Sequence, residues 1–78
     1  MTNNLFAQRV AGNVRAEMGR SGVTQQALAR KLHRTQQSIS RRLSGQVPFD
    51  VEELDLIATA LGIPVETFFI TAPAAVAV

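Results

Sequence analysis

The chain has 78 residues, of which 46% are hydrophobic, and a formal net charge of +2. This length predicts one domain with a single small core, and the absence of cysteine excludes disulfides and thiolate metal sites. Because small secreted domains generally depend on disulfides, and neither a signal-peptide pattern nor an apolar run of about 18 residues is present, we expect a cytoplasmic protein that does not enter a membrane.

The charges are distributed unevenly along the chain. Residues 1–49 contain all eight basic residues and a single acid, Glu17, which gives this part a net charge of +7. Residues 50–78 contain five acids and neither Lys nor Arg, which gives −5. Such asymmetry indicates a polyanionic partner, nucleic acid above all, for the first two-thirds of the chain. A solvated basic face without any partner would show the same charges.

The first predicted helix covers residues 4–18. Apolar residues recur at every fourth position and form one stripe along it: Phe6, Val10, Val14 and Met18. Gly19 and Gly22 follow the last of these residues, and glycine at that position is typical of a helix end.

Two short helices are predicted next, over residues 25–32 and 36–44, with about three residues between them. Thr24 and Thr35 each precede a helix, where a hydroxyl can accept a hydrogen bond from a free backbone N–H. Gly45 ends the second helix. The inward-facing residues of this pair are Leu28, Ala29, Leu32, Ile39 and Leu43.

The fourth helix is predicted over residues 51–61, because Asp50 is a favourable N-cap and Glu53 has the spacing of a capping box. A short fifth helix follows Pro64, a residue suited to a helix start. No segment shows a convincing strand pattern, so we expect an all-α domain of five short helices over residues 1–70. The remaining segment, residues 71–78, is predicted to be a flexible tail.

The segment TQQSISRR, residues 35–42, carries amides, hydroxyls and guanidinium groups and no acid. With Ile39 and Leu43 turned inward, a helical projection points four polar residues outward: Gln37, Ser40, Arg41 and Ser44. Gln36 lies in the first turn and projects past the helix end. Gln can bind adenine, Arg can bind guanine and Ser can contact several bases in the major groove. Two short helices around a tight turn are the layout that places such a helix in that groove.

The segment VTQQALARKLHRTQQSISRRLSG, followed by ELDLIATALGIPVETFF, resembles the Cro/cI type of helix-turn-helix domain. The resemblance covers about residues 10–70 and implies a lambda-repressor-like fold, with the helix-turn-helix at residues 24–44. TQQS resembles the start of the recognition helix in a lambdoid phage repressor. SRRLSGQVPFD resembles small regulators of actinobacteria and their phages. The implied function is sequence-specific binding of double-stranded DNA by a phage or prophage repressor, or a Cro-like protein, which blocks a promoter in the nucleoid of a bacterial cell.

The resemblance also implies roles for single residues. Gln36, Gln37 and Arg41 match base-reading positions, with Ser40 beside them, and Gln25 matches a phosphate-binding position at a helix N-terminus. Further phosphate candidates are Thr24, Thr35, Ser38, Arg42, Ser44, Gln46 and the backbone after Gly45. The side chain of Arg42 either clamps a phosphate or lies over Phe49. Three other basic residues are expected to be solvated: Arg15, Arg20 and Lys31.

The chain departs from this family's pattern at several positions. The family commonly has Gly at His33 and an apolar residue at Arg34 and at Arg42. It commonly has Glu at Leu43, often paired with an Arg at Met18, and an apolar contact between Met18 and Leu43 is expected here instead. A hydrophobic replacement of a buried ion pair can be neutral or stabilising, so the fold is expected to persist. The fine position of the third helix stays open.

Neither catalysis nor a cofactor is expected, since His33 is the only histidine and the chain lacks Cys and Tyr. Because one half-site contact by a small module is weak, we expect a homodimer on an inverted-repeat operator. Phe68, Phe69 and Ile70 either close the core or form a dimer patch. Two alternative functions stay open: an antitoxin-type regulator that also binds a toxin protein, and an adaptor that uses the fold to bind protein only.

Overall fold

The computed structural model describes residues 5–70, and these residues form an all-α fold. The elements in chain order are α1 (Leu5–Ser21), α2 (Gln25–Lys31), α3 (Gln36–Leu43), α4 (Val51–Leu61) and a 3₁₀ helix (Val65–Phe69). The predicted fold class is confirmed, although the fifth short helix is 3₁₀ rather than α. The predicted tail at residues 71–78 lies outside the described residues.

The helix starts lie where the capping residues predict them. Thr24 Oγ1 accepts a hydrogen bond from the Ala27 N–H at 3.1 Å, and Thr35 Oγ1 accepts one from the Ser38 N–H at 3.0 Å. Asp50 and Glu53 form the reciprocal capping box at the start of α4. These bonds join residues three positions apart, so each helix start is encoded locally.

The end of α1 differs from the prediction by three residues. The helix continues past Met18 and Gly19 to Ser21, and it ends where Gly22 adopts a positive φ of 72°. The Val23 N–H then donates to the Met18 carbonyl at 3.1 Å, which closes the last turn. A left-handed residue stops a helix, whereas a glycine with helical dihedrals only weakens it. Gly22 is therefore the terminator.

One hydrophobic core is built from all five elements. Its completely buried large side chains are Val14, Leu28, Ile39, Ile57 and Phe68. Met18 and Leu43 are both buried in the same core, as their apolar character predicts. Burying a side chain of this size contributes about 1.5–3 kcal/mol to folding. Phe6 is the exception to the predicted apolar stripe of α1, because 53% of it is exposed.

Asn13 fastens the 3₁₀ helix to α1. Its Nδ2 donates hydrogen bonds to the carbonyl oxygens of Phe68 and Ile70, both at 2.8 Å. Phe68 is completely buried beneath this clamp, whereas Phe69 and Ile70 are exposed. Of the two roles predicted for these three residues, Phe68 therefore has the core role and is not available for a dimer patch.

No helix of residues 5–70 is long and apolar enough to cross a membrane.

Candidate nucleic-acid interface

The outer face of α3 presents the polar groups that the sequence places there. Ile39 and Leu43 are buried against the core, and this orientation of the helix exposes the opposite side. The exposed side chains on and beside this face are Gln36, Gln37, Ser40, Arg41 and Ser44. Every base-reading candidate thus lies on one accessible surface, with no acidic residue on α3 itself.

The turn between α2 and α3 depends on a left-handed residue. His33 has a φ of +56° and is the one residue other than glycine with a positive φ among residues 5–70. The Arg34 N–H then donates to the Ala29 carbonyl at 2.9 Å, which closes the end of α2. A left-handed conformation costs an L-residue about 1–2 kcal/mol. The turn is therefore built by His33 at a cost that glycine would avoid.

Two threonines that were predicted to bind phosphate have a first role as helix caps. The Oγ1 atoms of Thr24 and Thr35 accept backbone N–H groups, and both residues are exposed. A hydroxyl that accepts one hydrogen bond still has its own proton to donate. Gln25, the first residue of α2, is exposed beside Thr24. These three side chains are therefore free to donate to phosphate oxygens.

The backbone after α3 is used inside the domain. The N–H groups of Gln46 and Val47 donate to the Arg41 carbonyl at 3.0 and 3.3 Å, and Ser44 Oγ donates to the same oxygen at 2.9 Å. These bonds satisfy the last turn of the helix. The prediction that the backbone after Gly45 binds phosphate is therefore wrong for these two N–H groups, whereas the side chain of Gln46 is exposed.

Arg42 has internal partners that neither predicted alternative included. Its Nε donates to Glu53 Oε1 at 3.2 Å, and its Nη1 donates to the carbonyl and the Oγ of Ser38 at 3.1 and 2.7 Å. Only 16% of its side chain is exposed. These contacts argue against Arg42 as a phosphate ligand, because Glu53 and Ser38 hold its guanidinium group inside the domain. The Ser38 hydroxyl accepts from Arg42 and keeps its own proton to donate, so its phosphate contact stays a prediction.

Glu53 pairs with two arginines in addition to its predicted place in the capping box, and the sequence did not predict these ion pairs. It is 4% exposed, and its Oε1 accepts from the Asp50 N–H at 2.9 Å as well as from Arg42. Its Oε2 lies 2.7 Å from Arg34 Nη2 and 3.1 Å from Arg42 Nε, which are ion-pair contacts without an aligned hydrogen bond. A signal was present, since Glu53 precedes the inward-facing Ile57 by one helical turn.

Arg15 and Gly45 attach the end of α3 to α1. Arg15 Nη1 donates to the Leu43 carbonyl, which brings a cation to the C-terminal end of α3, where the helix dipole is negative. Gly45 lies against Gln8, and a Cβ at this position would be 2.9 Å from Gln8 Cγ. Arg15 is exposed, as predicted, and it also joins α1 to the end of α3 through this hydrogen bond.

Five basic residues have no ion pair within the part of the chain that the structure describes. They are Arg9, Arg15, Arg30, Lys31 and Arg41, all exposed, and of these Arg15 donates to the Leu43 carbonyl. Arg20, by contrast, pairs with Glu17 on the surface of α1. Arg30 and Lys31 on α2 and Arg41 on α3 belong to the helix-turn-helix, and unpaired cations there create a positive potential that attracts a nucleic acid. Residues 5–70 contain no group of three or more His, Asp or Glu side chains that could hold a metal ion.

A family model of the helix-turn-helix domain matches residues 9–68, which includes α2, the turn and α3. The chain belongs to the helix-turn-helix domain family. The prediction of a DNA-binding helix-turn-helix domain is thereby confirmed, and it makes the protein a DNA-binding regulator. In this helix-turn-helix domain α3 stands in the position of the recognition helix. No curated protein and no solved structure matches the chain.

Proposed function

We propose that this protein is a sequence-specific transcriptional repressor of the phage or prophage type, or a Cro-like counterpart. It inserts α3 into the major groove of double-stranded DNA and blocks a promoter by occupying it. The observation that carries the proposal is the outer face of α3, where amide, hydroxyl and guanidinium groups stand exposed above the buried Ile39 and Leu43. An α-helix with its side chains is about 10–12 Å across, which suits a major groove about 12 Å wide.

Within this proposal the polar residues divide into two groups. Gln36, Gln37 and Arg41 read base edges, with Ser40 beside them, because their donors and acceptors match those of adenine and guanine. The exposed polar residues that surround these base-reading residues bind phosphate oxygens: Thr24, Gln25, Thr35, Ser44 and Gln46. Contacts of the second group fix the register of the protein on DNA without reading sequence. Neither group forms a catalytic arrangement, and the proposal includes no enzymatic step or cofactor.

The proposal includes pairing of two copies on an inverted repeat, because a module of this size binds one half-site weakly. An exposed apolar surface is available for the contact. Phe6 and Phe69 stack with ring centroids 6.0 Å apart and an interplanar angle of 7°. Ile70, the residue after Phe69, is also exposed. A groove of about 520 Å³ adjoins Phe69 and is lined by Val51, Glu52, Leu54, Asp55, Val65 and Phe69. Exposed apolar areas of this kind mark protein contacts.

The same surface supports a second candidate function, an antitoxin-type regulator that binds a toxin protein as well as DNA. The two candidates predict different partners for the Phe6–Phe69 surface. The repressor pairs with a second copy of itself on its operator. The antitoxin forms a complex of unequal chains, which mass measurement of the protein expressed with its genomic neighbour detects.

Selection from random duplex DNA, followed by affinity measurements at two salt concentrations, tests the proposal. The expected result is an enriched inverted repeat whose binding weakens steeply with salt, since each neutralised phosphate steepens the slope of log affinity against log salt by about 0.9. No enrichment and no binding at low salt would refute it. The polar face of α3 would then be assigned to a protein partner.

A further inference from the structure

We propose that Glu53 is a positioning residue that keeps Arg34 and Arg42 away from the DNA backbone. It thereby increases the contribution of base contacts to DNA binding relative to that of phosphate contacts. The inference rests on the proposed DNA binding by α3. It concerns a carboxylate on α4, outside the helix-turn-helix itself. It explains why Arg41 and Arg42, which are neighbours on α3, have different environments.

The carboxylate of Glu53 lies between α4 and α3 and is almost fully buried. Its side chain is 5% exposed, against 16% for Arg42 and 40% for Arg34. One oxygen is 2.7 Å from Arg34 Nη2, and both oxygens lie within 3.2 Å of Arg42 Nε. A single acid thus holds a cation from the helix-turn-helix turn and a cation from the recognition helix at the same point.

The two adjacent arginines of α3 have opposite environments. Arg42 is bonded at both ends of its guanidinium group, to Glu53 on one side and to Ser38 on the other. Arg41 is exposed and has no ion pair within residues 5–70. Arg41 is therefore the one arginine of α3 that is free to reach DNA, and the burial of Glu53 makes it so.

Stability alone is a weak reason for this arrangement. Desolvating a carboxylate and two guanidinium groups costs free energy, and an apolar cluster in their place is often as stable or more stable. The arrangement has a clearer effect on binding. Arginines that touch phosphates raise affinity for every sequence, whereas base contacts raise it for one. Holding two arginines back keeps sequence-independent affinity low.

The variant Glu53→Gln tests the inference, because glutamine at this position still completes a capping box but no longer carries the charge. We expect Arg34 and Arg42 to become available to phosphates. The slope of log affinity against log salt on random duplex DNA should steepen by about 1 to 2, at roughly 0.9 for each new phosphate contact. Affinity for random DNA should rise more than affinity for the selected site, so the ratio between them should fall.

Glu52→Gln is the matched control. Glu52 is the exposed neighbour on the same turn of α4, and the substitution changes the net charge by the same amount. The change in salt slope that it produces measures the general electrostatic effect of removing one acidic residue. If Glu53→Gln gives the same salt slope and the same specificity ratio as Glu52→Gln, or if it only lowers the urea midpoint without changing the slope, the inference is wrong and Glu53 is merely structural.

A second variant serves if Glu53→Gln does not fold. Arg34→Gln removes the more exposed of the two held arginines and leaves the Arg42 pair in place. The salt slope should stay at the wild-type value, and a slope shallower by about 1 would show that Arg34 already contacts a phosphate and overturn the inference. Wild-type protein that binds no DNA would refute the proposed function itself, and this outcome is visible before any variant is compared.

Discussion

Replacing Gly45 by alanine tests how the recognition helix is seated on α1. Gly45 follows α3 with a φ of +86°, and the new Cβ would lie 2.9 Å from Gln8 Cγ and 3.4 Å from Gln8 Cα. The substitution therefore combines two unfavourable effects. One is a left-handed backbone at a residue with a side chain, and the other is a steric contact with α1.

The expected loss of stability can be worked out from these two effects. A left-handed L-residue costs about 1–2 kcal/mol, and the stiffer unfolded chain returns about 0.4–1 kcal/mol of this. The 2.9 Å contact with Gln8 Cγ forces this side chain to shift close to its own backbone, and crowding of this kind costs about 1 kcal/mol or more, whereas the 3.4 Å distance to Gln8 Cα is ordinary packing. We expect Gly45→Ala to lower the free energy of unfolding by about 1–3 kcal/mol.

Gly62→Ala provides the control, because Gly62 has a φ of +72° and no atom would lie within 4 Å of its Cβ. Urea denaturation of both variants separates the backbone effect from the contact with α1. Gly45→Ala should be the less stable variant, and adding Gln8→Ala should recover part of the difference. Equal losses at Gly45 and Gly62 would refute the reasoning, because the contact with Gln8 would then contribute nothing.

Three further substitutions test single residues of the interface. Arg41→Ala should cost about 1–3 kcal/mol of binding free energy on the selected site and relax preference at one base pair; an equal loss on every sequence would contradict base reading. Gln25→Ala should weaken binding about equally on all sequences, as phosphate contacts do, and a changed base preference in a repeated selection would argue against that role. His33→Gly should raise the free energy of unfolding by about 0.5–1 kcal/mol, because its φ of +56° is unfavourable for histidine. A lower urea midpoint for this variant would count against strain in the turn.

Local features of the fold and of the interface were predictable because they depend on residues close together in the chain. Thr35 caps α3 through Ser38, three residues on, and the four-residue spacing of Ile39 and Leu43 decides which side of α3 is buried. The polar face opposite follows directly. The end of α1 was less predictable, since Gly19 and Gly22 are equally good signals until one of them adopts a positive φ.

The exposure of Phe6 shows where a periodic pattern fails. Its position belongs to the apolar stripe of α1, but it lies one residue from the start of that helix, and more than half of it is exposed. It stacks instead on Phe69, which comes from the other end of the described chain. The spacing of apolar residues predicts which side of a helix faces the core, but not how far along the helix the core extends.

The amino-acid sequence by itself determined the all-α class, the starts of α2, α3 and α4, and the polar face of the recognition helix. Only the tertiary structure decided the role of each charge. Arg15 bonds to Leu43, 28 residues away, and Arg42 bonds to Glu53, 11 residues away. A guanidinium group binds DNA, solvent or a carbonyl according to which partner the fold brings beside it. The distance between each guanidinium group and its partner is set by the packing of α1 and α4 around α3, and no local sequence pattern encodes it.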